Sequence, residues 1–143
     1  MTTAATDVIT ALKEDIELQV NSISELEGKA IYVYAADQLS QAHTKISLPC
    51  VIFNYAGMRG ATKHHQVVFD VYLIAKAESL NQIKGNTSVP TATEILQRLR
   101  KAMACNTAAT QRSWNLESEA PSFGVDDKLI YRQRWVTAYQ IIR

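Results

Sequence analysis

The sequence predicts an α+β domain with a mainly antiparallel sheet and two helices packed on one face. Two segments repeat apolar residues at the spacing of a helix, and five segments are rich in β-branched and aromatic residues. Their order is helix, strand, strand, strand, helix, strand, strand. Strands that follow one another, instead of alternating with helices, are typical of the α+β class.

The two helices are predicted from steps of three and four residues between apolar side chains. Residues 7–26 carry such a stripe, with the polar residue Gln19 expected mostly outside it, and Gly28 follows as a plausible stop. Residues 91–106 carry the second, with Thr91 and Glu94 at the spacing of a capping box. The apolar positions of the two segments are Ile9, Leu12, Ile16, Val20, Ile23, Ile95, Leu96, Leu99 and Met103.

The strands are predicted at residues 30–36, 50–55, 66–75, 113–118 and 128–142. Residues 66–75 show the clearest alternation, although the second face of this strand is also partly apolar. Pro49 stands just before a strand, where its missing N–H is tolerated. The expected core combines helix and strand positions: Ile9, Leu12, Ile16, Phe53, Phe69, Val71, Leu96, Leu99 and Trp135.

Length and charge narrow the class of protein. A chain of 143 residues, 47% hydrophobic and 20% charged, predicts one packed domain spanning 1–143. Fifteen basic and fourteen acidic residues leave a net charge of +1, which disfavours a dedicated nucleic-acid binder. No apolar run is long enough for a membrane span, and the first ten residues do not resemble a secretion signal. We therefore expect a cytoplasmic location and no membrane partner.

No group of residues predicts catalysis, a cofactor or a metal. His64 and His65 are adjacent, so in a strand they point to opposite faces, and His43 lies in a separate loop. Asp126 and Asp127 stand in a glycine-containing turn. The sequence has neither a nucleophile elbow nor a phosphate-binding loop. Its only cysteines, Cys50 and Cys105, are expected to be reduced and to behave as small hydrophobic residues. The prediction is a protein that is not an enzyme.

Two arginines of the last strand form a candidate contact. Arg132 and Arg134 are two residues apart and share the face opposite to Trp135. They are either solvated on an ordinary sheet face or placed at an interface, where arginine is favoured.

The element order is similar to that of the tail terminator family of long-tailed phages and the related Mu-type tail proteins. Five segments carry the resemblance and cover most of the chain: "TDVITALKEDIELQV", "LPCVIFNYAG", "HQVVFDVYLIAKA", "TATEILQRLRKAM" and "KLIYRQRWVTAYQIIR". The strand at 30–36 and the polar connection at 77–90 depart from the pattern.

The resemblance implies a structural virion protein without enzyme activity or cofactor. Such proteins form a ring, typically a hexamer, that ends polymerisation of the tail tube and presents a surface to the head–tail connector. DNA only passes through the lumen. The expected location is the host cytoplasm during assembly and then the virion tail. In such a ring, strand edges and the connections at 57–66 and 77–90 would meet neighbours. Four basic residues are expected at the contact, each pairing with an acidic residue of the neighbour such as Glu78, Glu117 or Glu119: Arg59, Lys63, Arg132 and Arg134.

Two other readings remain open. The chain is alternatively a small enzyme or ligand-binding α+β domain with a pocket beneath the connection at 77–90. It is alternatively another head–tail joining protein, which would share the ring symmetry but not the position.

Overall fold

A computed structural model of the protein describes residues 5–33, 48–60, 64–76, 92–104, 114–122 and 128–140. It confirms the α+β class. A 3₁₀ helix at Ser24–Leu26 follows the first α-helix. The other elements are α1 (Ala5–Asn21), β1 (Ala30–Tyr32), β2 (Cys50–Gly60), β3 (His64–Lys76), α2 (Ala92–Ala104), β4 (Trp114–Pro121) and β5 (Lys128–Gln140).

The five strands form one sheet in the order β1-β2-β3-β5-β4. The β1–β2 pair is parallel, and the other three pairs are antiparallel. β3 and β5 pair along their whole length, from His64 opposite Gln140 to Lys76 opposite Lys128. The long strand predicted at 66–75 is therefore the centre of the sheet.

Both helices pack on the same face of the sheet, as expected from the sequence. Leu12 and Ile16 of α1 and Leu99 of α2 are at most 1% exposed in this layer. Eight of the nine predicted core residues are buried there, and Ile9 packs against them partly buried. The largest fully buried side chains of the layer are Trp114, Trp135, Phe53 and Phe69, and Phe69 meets Trp114 edge to face.

The opposite face of the sheet is also buried at one end. A second apolar cluster there contains Val33, Cys50, Ile52, Tyr72, Ile74 and Ile130. β3 contributes to both clusters, because its odd-numbered residues face the helices and Tyr72 and Ile74 face the other way. This explains the apolar second face seen in the sequence.

β2 continues through Gly57 and Gly60, five residues further than predicted. A bulge between Tyr55 and Gly57 shifts the pairing with β3 and allows the strand to go on. Gly57 has a φ of +130°, and a side chain there would meet nothing within 4 Å. The glycine is therefore required by the backbone angle and not by lack of space. Of the predicted connection at 57–66, residues 57–60 and 64–66 are strand, and 61–63 lie outside the described residues.

Two polar residues of α1 are buried, contrary to the expectation that Gln19 faces away from the core. Asp15 is 1% and Gln19 is 4% exposed. Trp114 donates from Nε1 to Asp15 Oδ2 at 2.8 Å, and Gln19 Nε2 donates to Asp15 Oδ1 at 3.2 Å. The carboxylate thus satisfies the indole N–H of β4 and fixes α1 against the far strand of the sheet.

The first testable consequence concerns Leu99, which is 1% exposed between α2 and the sheet. Leu99→Ala is expected to lower the free energy of unfolding by about 2–5 kcal/mol, because it removes buried methyl groups and leaves a cavity. Urea denaturation followed by circular dichroism measures the change. Gln97→Ala on the exposed side of α2 is the control and should change stability by less than about 0.5 kcal/mol. A loss of that small size for Leu99→Ala would remove Leu99 from the core.

Candidate functional site

The face opposite the helices carries three of the four predicted contact residues, Arg59, Arg132 and Arg134. Lys63 lies outside the described residues. Arg132 and Arg134 share this face on β5, as their spacing predicts, and Arg59 joins them because the bulge in β2 places it opposite Gln66. We call these three arginines and their partners Gln66, Asp70, Glu117 and Ser118 the arginine strip.

Arg134 and Asp70 form a bidentate contact within the strip. The two residues lie directly opposite each other on β5 and β3. Arg134 donates from Nε and an Nη atom to the two carboxylate oxygens at 2.8 and 2.9 Å. The Asp70 side chain is 7% exposed and that of Arg134 is 33% exposed. This pairing raises the pKa of Arg134, and burial together with the Asp70 charge raises the pKa of neighbouring Tyr72.

Arg59 extends across the sheet from β2. Its Nε donates to Gln66 Oε1 on β3 at 3.2 Å, and its guanidinium pairs with Glu117 on β4. Glu117 lies in a second bulge, between Leu116 and Ser118. Both side chains of this pair are more than one-third exposed, so the pair stabilises the fold only weakly.

Arg132 completes the strip by donating to Ser118 Oγ at 3.3 Å. All three arginines therefore have partners within their own chain. The sequence predicted that arginines would meet carboxylates such as Glu117 of a neighbouring subunit, whereas the structure shows the Glu117 contact within one chain. Their role at a subunit contact stays a prediction.

Asn54 lies beside the strip, opposite Asp70 on β2. Its Nδ2 donates to the carbonyl of Tyr55 at 3.3 Å, but its Oδ1 is buried and has no hydrogen-bond partner among the described atoms. An unpaired buried acceptor is unfavourable. A hollow of about 130 Å³ further along β2 is lined by Ala56, Gly57, Met58, Arg59, Val68 and Arg134.

Of the other candidate residues, His64, His65 and Cys50 lie in the described part of the chain. His65 lies on β3 opposite Gly60, whereas His43, Cys105, Asp126, Asp127 and the whole connection at 77–90 lie outside the described residues. Within the described part of the chain, no three His, Cys, Asp or Glu side chains are placed to hold a metal ion. No helix in that part is both long enough and apolar enough to cross a membrane.

Sequence reasoning does not identify Gln66, Asp70 or Ser118 as acceptors of the strip, and it assigns Glu117 to a neighbouring subunit. Alternation in residues 66–75 predicts Asp70 on the second face of the strand, but its register with Arg134 depends on the pairing of two strands far apart in the sequence, which no local pattern reveals. Glu117 and Ser118 are positioned by the β4 bulge, for which the sequence offers no glycine signal.

No protein-family model matches this chain, and no curated protein is significantly similar to it.

The second prediction tests the Arg134–Asp70 pair. Arg134→Met should destabilise the protein by about 2–4 kcal/mol, because it leaves the buried Asp70 carboxylate without its cation. The double variant Asp70→Leu/Arg134→Met should be less destabilised than the sum of the two single variants by about 1–3 kcal/mol. Chemical denaturation of the four proteins supplies the comparison. Additive effects would mean that the two side chains do not interact.

The third prediction concerns the Cys50 thiol, which is 0% exposed. Burial raises its pKa to about 11, while the Lys29 ammonium acts in the opposite direction. At pH 8 about one thiol in a thousand is then ionised, so we expect negligible reaction with a thiol reagent in the native protein and full reaction in denaturant. A Cys105→Ser background isolates Cys50. Fast labelling of the folded protein would contradict its burial.

Proposed function

We propose that the protein is a structural subunit of a phage tail that forms a ring at the end of the tail tube, ends tube polymerisation and joins the tail to the head. The observation that carries the proposal is the resemblance of five quoted segments to tail terminator proteins. In the described chain these segments correspond to α1, β2, β3, α2 and β5, which make up both helices and the three inner strands.

The two edges of the sheet support a ring. One edge is β1, with three residues, and the other is β4, with eight. A heterologous contact uses two different patches on each subunit and closes into a ring when the rotation permits. Along β4, Asn115, Leu116, Glu117 and Glu119 are exposed, and no described strand pairs with its outer side. Such an edge offers unpaired backbone groups to a neighbour.

The experiment that tests the proposal combines a mass measurement with electron microscopy. The purified protein is mixed with tail tubes polymerised from the tube protein of the same genome. We expect a ring at one end of each tube and tubes that no longer elongate. If the unmodified protein neither associates with itself nor binds tube ends, the proposal fails.

The fourth prediction tests the strip as a subunit contact. Arg59→Glu/Lys63→Glu should impair capping while circular dichroism shows an intact fold, because the reversed charges repel an acidic neighbour. Stability should change by less than about 1 kcal/mol, because the Arg59–Glu117 pair is exposed. Counting capped tube ends provides the measurement.

A charge swap separates a contact within the chain from one between chains. Arg59→Glu/Glu117→Arg restores an opposite-charge pair inside each subunit. If Arg59 acts on a neighbour, this variant regains stability but still caps poorly. If it caps as well as the parent protein, Arg59 serves only its own chain, and the interface assignment is wrong.

A further inference from the structure

The exposed side of α1 carries a leucine where a polar residue is expected. Leu18 is 57% exposed, the highest value among the large hydrophobic side chains of the described residues. Glu14 and Ser22, also exposed, lie one turn before and one turn after it. A single exposed leucine is ordinary on a monomer. Leu18 differs from that ordinary case because a groove and charged side chains lie near it.

A groove begins where this row of side chains ends. Ser22, Ile23 and Ser24 form one wall, and Arg98, Lys101 and Ala102 of α2 form the other. Its volume is about 560 Å³, and Ile23 and Ala102 are its apolar lining residues. Since Ser22 lies one turn after Leu18 on α1, the leucine borders the groove without filling it.

Charge is distributed unevenly along this surface. Glu14 lies on one side of Leu18, and the groove on the other side carries Arg98 and Lys101. Arg98 donates to Glu25 Oε1 at 2.6 Å. This bond lowers the pKa of Glu25, and the Glu25 carboxylate partly neutralises the charge of Arg98. Lys101 is exposed on the rim. Along this surface, the acidic residue Glu14 is followed by the apolar Leu18, then by the groove, and finally by the basic residue Lys101.

We propose that this surface pairs two copies of the chain about a twofold axis, with Leu18 of each copy seated in the groove of the other and Glu14 facing the partner's Lys101. An isologous contact requires a patch that complements itself when rotated by 180°. A surface that is acidic at one end, basic at the other and apolar between them meets this requirement. The contact lies on the helix layer and is distinct from the strand edges and the arginine strip used in the proposed ring.

The contact is small, so we expect a weak dimer with a dissociation constant of about 0.1 mM. Sedimentation equilibrium from about 10 µM to about 1 mM should show a monomer that converts to a dimer. Leu18→Asp should weaken association at least about tenfold, because a charge replaces the apolar side chain in the groove. Circular dichroism confirms that this exposed substitution leaves the fold intact.

Leu116→Asp is the matched control, because Leu116 of β4, 36% exposed, is the other exposed large hydrophobic residue among those that the structure describes. It should leave dimerisation unchanged. A monomer up to about 1 mM, or equal weakening by the two substitutions, would overturn the proposal.

Charge reversal tests the orientation of the pair. Glu14→Lys and Lys101→Glu should each weaken the dimer about 3- to 10-fold. The double variant Glu14→Lys/Lys101→Glu should recover to within about 3-fold of the parent, since each altered residue again faces an opposite charge. Absence of recovery would show that the two residues do not face each other.

The same variants distinguish the helix-layer dimer from the proposed ring. Leu18→Asp should still cap tail tubes, whereas Arg59→Glu/Lys63→Glu should still dimerise. A solution oligomer whose stability does not respond to Leu18→Asp, whatever its size, overturns the helix-layer contact and leaves the ring proposal to its own test.

Discussion

The fold depends on a central strand that is buried on both faces. β3 pairs with β2 on one side and with β5 on the other, and residues 67–75 are all buried. Every side chain in that run is therefore withdrawn from water. Eight of the nine are hydrophobic, and the exception is Asp70. A lone buried carboxylate would be strongly unfavourable. Arg134 lies opposite Asp70 and pairs with it, so the observed register of β3 against β5 is the one in which this charge has a partner.

The helix layer also contains a buried polar side chain, Gln133, whose partners come from several elements. Gln133 faces the helices at 0% exposure, accepts from Trp135 Nε1 at 3.0 Å and donates to the carbonyl of Leu96 at 3.3 Å. Its Nε2 also reaches Glu119 at 2.7 Å, and Glu119 pairs with Arg100 of α2. One amide thus joins α2, β4 and β5. Apolar packing alone would let a helix slide over a sheet, whereas these bonds favour one position.

Alternation and helical spacing predicted the elements, the helix layer and the shared face of Arg132 and Arg134, because those patterns act over a few residues. They failed where the cause was distant or irregular. The apolar stripe predicts Gln19 mostly outside the core, yet Gln19 lies one turn after Ile16 on the same side of α1 and is buried. The bulges at Tyr55/Gly57 and Leu116/Ser118 decide where Arg59 and Glu117 lie. A bulge adds one residue to a strand, so alternation counted across it assigns the wrong face.

The internal pairing of the arginine strip limits what it can contribute to assembly. A neighbour's carboxylate that approaches Arg59 must compete with Glu117, and one that approaches Arg134 must compete with Asp70. The free energy gained by the new contact is therefore only the difference between two similar ion pairs. For the buried Asp70 the exchange would be unfavourable, since the carboxylate would lose its cation. Association through this face would therefore draw most of its free energy from backbone groups at the sheet edges and from apolar side chains. The arginines would instead set the orientation, because misplaced like charges are repelled.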